Sequence, residues 1–249
     1  LSSSFNKMFG LFIEEVMSYG YNIYMGVLNS KGYGIPQNRE RLYIVMIKQT
    51  VDNGKFKFPE QEENIGNLND FLLPVDMSDF YETRVPNIYI QQSIKPSVRK
   101  VYERDIENII SCKKDMYKCL VKSGFQDCKV GLTLAPTLRA GNPHTAVFDG
   151  KRIRKLEPLE NVLLMGFEKE DYEKMKNAGV SNAQIYKQTG NSIVVNVLLA
   201  IYRKLYIAMP YLFNDIRLGS FFSGIGAFEK ALVILKNELE RGEISDTWK

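Results

Sequence analysis

Apolar residues near the N-terminus recur every three or four positions and then change to alternation, which predicts a helix followed by strands. Residues 2–20 begin with serines suited to helix capping and carry apolar side chains along one helical face. Residues 21–28 alternate and are rich in β-forming side chains, and residues 41–47 form an apolar run typical of a buried strand. Glycines and a proline within residues 32–36 interrupt the pattern. A helix and a β-hairpin with a polar tip are therefore predicted.

The hairpin tip carries Gln37, Arg39 and Arg41, which are spaced two residues apart. In an extended chain this spacing directs the three side chains to one face. Such a face suits a polar, planar or anionic ligand. A solvated turn with salt-bridged side chains has the same local pattern, so the spacing alone leaves both interpretations open.

Two apolar patterns in the C-terminal half predict helices with informative ends. One helix is predicted from Pro158, whose missing N–H costs nothing in the first turn, to a stop at Gly166. Another is predicted to follow Gly190, with Asn191 and Ser192 at its N-cap. Free backbone N–H groups and the helix dipole at such an end favour a carboxylate. An ordinary capped helix is the alternative.

Residues 216–230 predict a strand, a tight glycine turn and a helix. Gly224 and Gly226 allow the backbone to approach a ligand closely at the helix N-terminus, as nucleotide-binding α/β sheets do. A lone Gly-x-Gly is weak evidence, so the phenylalanines around it matter for the interpretation.

Composition narrows the class of protein without deciding its function. With 249 residues and 45% hydrophobic content, the chain can bury a core as one domain or as one domain with a small satellite. Its three cysteines have no Cys-x-x-Cys spacing, which argues against a disulfide framework, and no metal site is expected. No apolar run in the sequence approaches the roughly 18 residues of a membrane span, so a soluble, cytoplasmic protein is expected.

The sign of the charge reverses in the middle of the chain. Acids predominate within residues 60–82, whereas lysines and arginines are interleaved with tyrosines within residues 84–122. Aromatics among cations are typical of surfaces that follow phosphates. A plain solvated face fits equally well, and the net charge of +4 permits nucleic acid as a partner without requiring it.

Four stretches resemble conserved motifs of the DNA cytosine-5 methyltransferases. They are residues 32–48 (eighth motif), 152–167 (ninth), 186–196 (tenth) and 216–230 (first). The ninth motif departs from the family pattern with Glu157 in place of threonine and Met165 in place of glutamine, and the first has Ala227 where glycine is usual. The resemblance implies S-adenosylmethionine as cofactor and double-stranded DNA as partner.

The resemblance also implies roles for individual residues. Arg41 is expected near O2 of a flipped cytosine, with Gln37 and Arg39 supporting the loop and the DNA backbone. Thr137 and Arg139, in a segment similar to the end of the family's target-recognition region, are expected near DNA. The expected S-adenosylmethionine ligands are Phe222, Ser223, Gly224, Ile225, Gly226, Asn191 and Ser192.

The fold implied by the resemblance is an α/β, Rossmann-like S-adenosylmethionine-dependent methyltransferase domain with a smaller inserted target-recognition domain. Residues 1–50 and 166–249 are assigned to the catalytic domain, and residues 51–165 to the DNA-reading domain. Because the first motif follows the tenth, a circular permutation is predicted. Such a change is physically cheap when the original termini are neighbours at the surface.

The sequence has no Pro-Cys pair, which in the family carries the nucleophile. Glu160, Asn161 and Val162 spell the family's Glu-Asn-Val tripeptide, but they fall in the predicted helix of the ninth motif. A structural role is therefore expected for Glu160, as for Arg154. A thiolate must add to C6 before C5 of cytosine accepts a methyl group. The chain is predicted to need a second chain or segment that carries Pro-Cys and Glu-Asn-Val.

These observations predict one part of a two-part, permuted DNA cytosine-5 methyltransferase of a bacterial or phage restriction-modification system. The alternative is a non-catalytic DNA-binding or regulatory relic of such an enzyme. A Rossmann-like core without its middle strands also exposes strand edges and apolar faces, which is expected to invite a partner. An unrelated α/β protein would require several accidental matches.

Overall fold

The helix and the hairpin predicted at the N-terminus are both present. The computed structural model describes residues 3–62, 66–73, 118–122, 128–131, 134–140, 145–148 and 153–244. Its strands are β1 (Tyr21–Asn29), β2 (Gln37–Asn38), β3 (Glu40–Lys48), β4 (Lys118–Lys122), β5 (Cys128–Gly131), β6 (Ala135–Pro136), β7 (Ala146–Phe148) and β8 (Ile153–Lys155). Its α-helices are α1 (Ser3–Ser18), α2 (Pro158–Leu163), α3 (Lys169–Asn177), α4 (Asn182–Asn191), α5 (Val195–Ala208) and α6 (Ala227–Glu240). Short 3-10 turns lie at Ser30–Tyr33, Leu68–Phe71 and Pro210–Phe213.

Strands β1 and β3 form an antiparallel hairpin in which Leu28 lies opposite Arg41. Alternation gives this hairpin two different faces. The inner face packs on the core through residues such as Leu28 and Ile47. The outer face is apolar but open to solvent, with four side chains that are 41% to 54% exposed. They are Met25, Val27, Leu42 and Met46.

Helix α5 is the centre of the buried core. Four of its apolar side chains are almost completely enclosed, namely Val195, Val197, Leu198 and Ile201. Helix α6 packs against α5, and Arg203 of α5 donates to both carboxylate oxygens of Glu238 of α6 at 2.9 and 2.5 Å. Because α5 follows Ser192 and α6 follows the glycine turn, this packing brings the two predicted cofactor segments together.

A separate antiparallel sheet lies within the residues assigned to the DNA-reading domain. Its strand order is β5-β4-β7-β8. The two-residue strands β2 and β6 pair in parallel, with Gln37 opposite Ala135, and so join the hairpin tip to the segment that leads into Thr137. The domain boundaries at residues 51 and 165 remain a prediction. Most of the stretch of cations and tyrosines lies outside the described residues.

The strand predicted before the glycine turn is not formed, and this prediction was wrong. Residues 216–220 have no regular secondary structure. A strand exists through ladder hydrogen bonds to a neighbour, and no described strand lies beside this segment. Within the described ranges, parallel pairing is confined to β2 and β6.

No single helix in the described part of the chain has the length and apolar composition to cross a membrane. Helices α4 and α5, taken together as a pair bent by 40°, meet those two criteria alone. The described residues bring together no group of three or more side chains suited to holding a metal ion.

Candidate functional site

A cavity of about 340 Å³ lies between the C-terminal end of α4 and the glycine turn that precedes α6. Asn191 and Ser192 line one wall, and Phe222, Ser223 and Gly224 line the other. These are five of the seven residues predicted to hold the cofactor. The volume falls within the range of about 300–1,000 Å³ that is typical of small-molecule sites. Two segments that are 30 residues apart in the sequence therefore form one concave site.

The glycine turn has the backbone conformation that its sequence predicts. Gly224 and Gly226 have φ values of 61° and 79°, in the left-handed region that glycine enters at no steric cost. Phe222, with φ 55°, is the one non-glycine residue with positive φ in the described part of the chain, and its side chain is fully exposed. Gly226 is the N-cap of α6 and supplies no side-chain cap. The first backbone N–H groups of α6 are consequently open to a ligand.

Ile225 and Gly226, the other two predicted cofactor ligands, lie in the turn but do not line the cavity. Ile225 is half-buried and packs against the hydrophobic core. Its role is therefore to anchor the turn, whereas Gly224 before it faces the cavity.

Asn191 and Ser192 lie at the end of a helix and not at the start of one, so their predicted N-cap positions were wrong. Helix α4 continues through Asn191, and Ser192 is its C-cap, with its N–H donating to the Thr189 carbonyl at 3.3 Å. The N-cap of the next helix is Val194, which has no side-chain cap. These two residues therefore line the cavity without offering the free N–H groups of a helix N-terminus.

Gln37 is fully buried at the hairpin tip. Its Nε2 donates to the Leu164 carbonyl at 2.8 Å, and its Oε1 accepts from the Leu138 N–H at 3.2 Å. One amide side chain thus satisfies main-chain groups from two segments more than 100 residues beyond it in the sequence. Its position supports the predicted role in holding the loop.

Arg39 is also buried, with 4% of its surface exposed. Its Nη1 donates to the Leu138 carbonyl at 3.0 Å, and its Nη2 donates to the carbonyls of Gly190 and Ser192 at 3.0 and 2.7 Å. Burial, followed by the nearby charge of Arg41, lowers the pKa of Arg39 to about 10, so that it is still a cation at neutral pH. This enclosed position is at odds with the predicted contact between Arg39 and the DNA backbone, because its donors are directed to carbonyls.

Arg41 lies in β3, two residues after Arg39, and is exposed. Its Nη1 donates to the carbonyl of its neighbour Glu40 at 2.7 Å. The two arginines and Tyr43 interact electrostatically: burial raises the pKa of Tyr43 to about 12 even though both cations oppose the rise. Of the three predicted catalytic residues, Arg41 is the one whose charged group is open to a ligand.

Thr137 and Arg139 belong to the loop that follows β6, directly beside the hairpin tip. The Thr137 hydroxyl donates to the Asn38 carbonyl at 2.7 Å, and Arg139 is exposed. The end of α4 rests on this loop: a Cβ placed on Gly190 would lie 2.1 Å from the Ala140 nitrogen. The loop of residues 137–140 and the wall of the cavity are therefore in direct contact.

Glu160 has the structural role that was predicted for it. It is completely buried, its Oε2 accepts from the Glu157 N–H at 2.7 Å, and its Oε1 accepts from the Leu73 N–H at 2.8 Å. These contacts cap helix α2 and hold the chain that passes over it. The side chain of Arg154 lies outside the described residues.

Sequence reasoning missed several residues of the cavity. Lys187 and Gln188 on α4 and Phe228 on α6 also line it. The motif comparison concentrates on the loops, and these side chains come from helical positions that look like ordinary solvent-facing or core residues. The spacing of Lys187, Gln188 and Asn191 along one helical face is the feature that could have indicated them.

The profile of the family described as C-5 cytosine-specific DNA methylase matches residues 1–206. The chain belongs to this family. Membership confirms the predicted fold class, an α/β, Rossmann-like S-adenosylmethionine-dependent methyltransferase fold. The matched range ends before the glycine turn, which lies beyond residue 206.

Two type II methyltransferases are among the relatives of this chain. M2.ScrFI from Lactococcus lactis subsp. cremoris is 30% identical over 204 residues, which is 82% of this chain and 49% of that protein. M.HhaI from Haemophilus parahaemolyticus is 30% identical over 185 residues, covering 72% of this chain and 51% of that protein. This chain thus spans about half the length of these relatives.

Two further similarities are narrower in extent or in identity. The orphan methyltransferase M.SPRI of Bacillus phage SPR is 57% identical over 54 residues, which is 22% of this chain and 12% of that protein. The crystal structure of the S. pombe Dnmt2 methyltransferase superposes with a TM-score of 0.48 at 17% identity, covering 80% of this chain and 60% of that one.

Proposed function

We propose that this chain is part of a DNA cytosine-5 methyltransferase that transfers a methyl group from S-adenosylmethionine to C5 of a flipped cytosine. The observation that carries the proposal is the cavity between Asn191–Ser192 and the Phe222–Gly224 turn, whose wall is bonded by Arg39 to the hairpin tip. Family membership supports the reaction class. The reaction itself needs parts that this chain does not carry.

The residues of the cavity fit S-adenosylmethionine in their chemistry. The open N–H groups at the start of α6 and the cation of Lys187 suit a carboxylate, and the side chains of Asn191, Ser192 and Ser223 provide polar partners. Phe222 and Phe228 offer aromatic surface for a planar base. When bound, this cofactor would supply the electrophilic methyl group.

Arg41 would hold the base side of the site. A cytosine must leave the duplex before its ring atoms can be reached, and the exposed guanidinium of Arg41 can donate to the O2 atom of such a base. Gln37 and Arg39 would keep β3 and the Leu138 loop in place through their buried hydrogen bonds. The DNA contacts of Thr137 and Arg139 remain part of the proposal.

The thiolate that adds to C6 would come from a second polypeptide or segment with Pro-Cys and Glu-Asn-Val motifs. The open outer face of the hairpin supports this part of the proposal, because a contiguous apolar surface that is exposed to solvent is typical of a site where a partner binds. Helix α1 also exposes apolar side chains, since Met8, Leu11 and Met17 are all more than half exposed. The irregular segment 216–220, which has no strand partner among the described residues, is a further place for pairing.

Reconstitution tests the proposal. This chain is mixed with a polypeptide that carries the nucleophile segments, with duplex DNA and with labelled S-adenosylmethionine. We expect label on DNA from the mixture only, and its loss with Arg41→Ala. Arg241→Ala is the matched control, since Arg241 is an exposed arginine at the C-terminal end of α6, with a side chain that is 60% exposed.

The absence of a Pro-Cys pair from the sequence also favours a second candidate, a non-catalytic DNA-binding or regulatory relic. Cofactor and DNA binding without methyl transfer, in the presence of a partner that supplies the thiolate, would identify the relic and reject the enzyme.

A further inference from the structure

The guanidinium of Arg39 joins two segments that are far apart in the sequence. One is the loop around Leu138, which it binds through Nη1, and the other is the end of α4, which it binds through Nη2 at Gly190 and Ser192. The first segment carries the exposed Arg139 beside the hairpin tip, and the second lines the cavity. One side chain therefore holds together the Leu138 loop and the end of α4, and this contact is called the junction below.

The two segments are also in direct backbone contact, at Gly190 and residues 139–140. A Cβ on Gly190 would lie 2.1 Å from the Ala140 nitrogen and 2.2 Å from the Arg139 carbonyl carbon, so the two backbones are already in contact. Movement of the end of α4 toward the cavity or away from it must therefore change the position of residues 138–140. Packed segments of this kind transmit displacements because protein interiors are close-packed.

We propose that Arg39 is a positioning residue that couples the cofactor cavity to the loop of residues 137–140, so that a ligand bound at one of these places favours a ligand at the other. The identity of the two ligands, cofactor and DNA, rests on the proposed function. Coupling of this kind is reciprocal and typically changes affinities by about 5-fold to 150-fold.

The geometry requires an arginine and not merely a cation. Three carbonyls on two segments are reached by the two ends of one planar fork, which the single ammonium of lysine cannot reproduce. The Nε atom of Arg39 is buried without a hydrogen-bond partner, and an unsatisfied buried donor costs free energy. The Nε atom stays unpaired because the bonds of Nη1 and Nη2 to the carbonyls of the two segments fix the position of the guanidinium.

Hydrogen exchange measured by mass spectrometry on the full chain tests the proposal. The variants are Arg39→Lys and, as a control, Arg203→Met, which removes a different partly buried arginine from the α5–α6 interface. We expect Arg39→Lys to accelerate exchange about tenfold in residues 137–140 and 190–193 together. Arg203→Met is expected to leave both segments unchanged and to act on α5 and α6.

Addition of S-adenosylhomocysteine provides the readout that a merely structural role would not change. In the wild type we expect slower exchange at residues 190–193 and also at residues 137–140, whereas in Arg39→Lys the protection stays at residues 190–193. Protection that never reaches residues 137–140 in the wild type overturns the coupling. If the ligand protects nothing, the proposed function fails, and the ligand-free comparison still decides the coupling: equal effects of the two variants on residues 137–140 and 190–193 reject it.

Discussion

Alanine at position 190 is expected to destabilise the protein, although glycine-to-alanine changes within helices usually do the opposite. Gly190 lies in the last turn of α4, where alanine would normally be favoured by up to about 1 kcal/mol. The added methyl group, however, would lie 2.1 Å from the Ala140 nitrogen and 2.2 Å from the Arg139 carbonyl carbon. Both neighbours are backbone atoms and cannot turn away.

The size of the effect follows from these distances. A methyl carbon needs about 3.5 Å from a non-bonded atom, so the two segments must separate by roughly 1.4 Å. Overpacking of this kind costs about 1–3 kcal/mol, and the separation also lengthens the hydrogen bonds of Arg39 to Gly190 and Leu138. We therefore expect a net loss of about 2–3 kcal/mol in the free energy of unfolding.

Urea denaturation followed by circular dichroism measures this loss as a lower midpoint at an unchanged slope. The matched control is Gly10→Ala in α1, where a Cβ would meet nothing within 4 Å. This exposed helical glycine is expected to yield a gain of up to about 1 kcal/mol on the same change. If Gly190→Ala is as stable as the wild type, the close contact between α4 and residues 139–140 is wrong, and with it the argument for a tight junction.

Three further predictions concern single side chains. Gln37→Ala should lower the free energy of unfolding by about 2–4 kcal/mol, measured by thermal denaturation, because the buried Leu164 carbonyl and Leu138 N–H would lose their hydrogen-bond partner. An unchanged midpoint would contradict this. Arg41→Ala should change stability by less than about 0.5 kcal/mol but weaken duplex binding in fluorescence anisotropy at fixed salt, and unchanged affinity would count against a role at the DNA. Burial raises the pKa of Asp171, but hydrogen bonds from Lys230 and the Glu168 N–H outweigh this and hold it below its usual value. The stability that the Asp171 carboxylate contributes is therefore present above about pH 4 and is lost as the pH falls through the lowered pKa. Asp171→Asn should consequently flatten the dependence of the urea midpoint on pH between about 2 and 5. An unaltered profile would refute the assignment.

The hairpin could be predicted because its determinants are local. Alternation fixes which side chains of β1 and β3 share a face, whereas the common face expected for Gln37, Arg39 and Arg41 from their spacing stays a prediction. Their depth could not be predicted in the same way. Gln37 and Arg39 are buried by contacts with Leu138 and the end of α4, about 100 and 150 residues away in the sequence.

The cap of α4 shows how a distant contact changes the meaning of a residue. Within the sequence, Gly190 looks like a helix breaker that leaves Asn191 free to begin a new helix. In the structure, the helix continues through it, and the absence of a side chain is what allows contact with Ala140. Local sequence patterns contain no information about such an approach of two backbones.

The segment before the glycine turn illustrates the same limit for strands. Residues 216–220 have the composition of a strand, but a strand is completed by its neighbour, and the described residues offer none. The turn itself was predictable because the positive φ angles of Gly224 and Gly226 depend on the residue type at those two positions and not on a distant partner. Conformations set by one residue can be predicted from the sequence, whereas those set by a partner cannot.

The charges of the cavity indicate which end of the proposed cofactor it would hold. Its lining in the described part of the chain includes Lys187, and it contains no carboxylate side chain. Nucleotide-binding α/β sheets usually hold the ribose hydroxyls with an acidic residue, whereas the carboxylate of an amino acid is favoured by cations and helix N-termini. This cavity therefore fits the methionine end of S-adenosylmethionine better than its ribose. In the proposed enzyme the acid for the ribose would come from outside the residues that line this cavity.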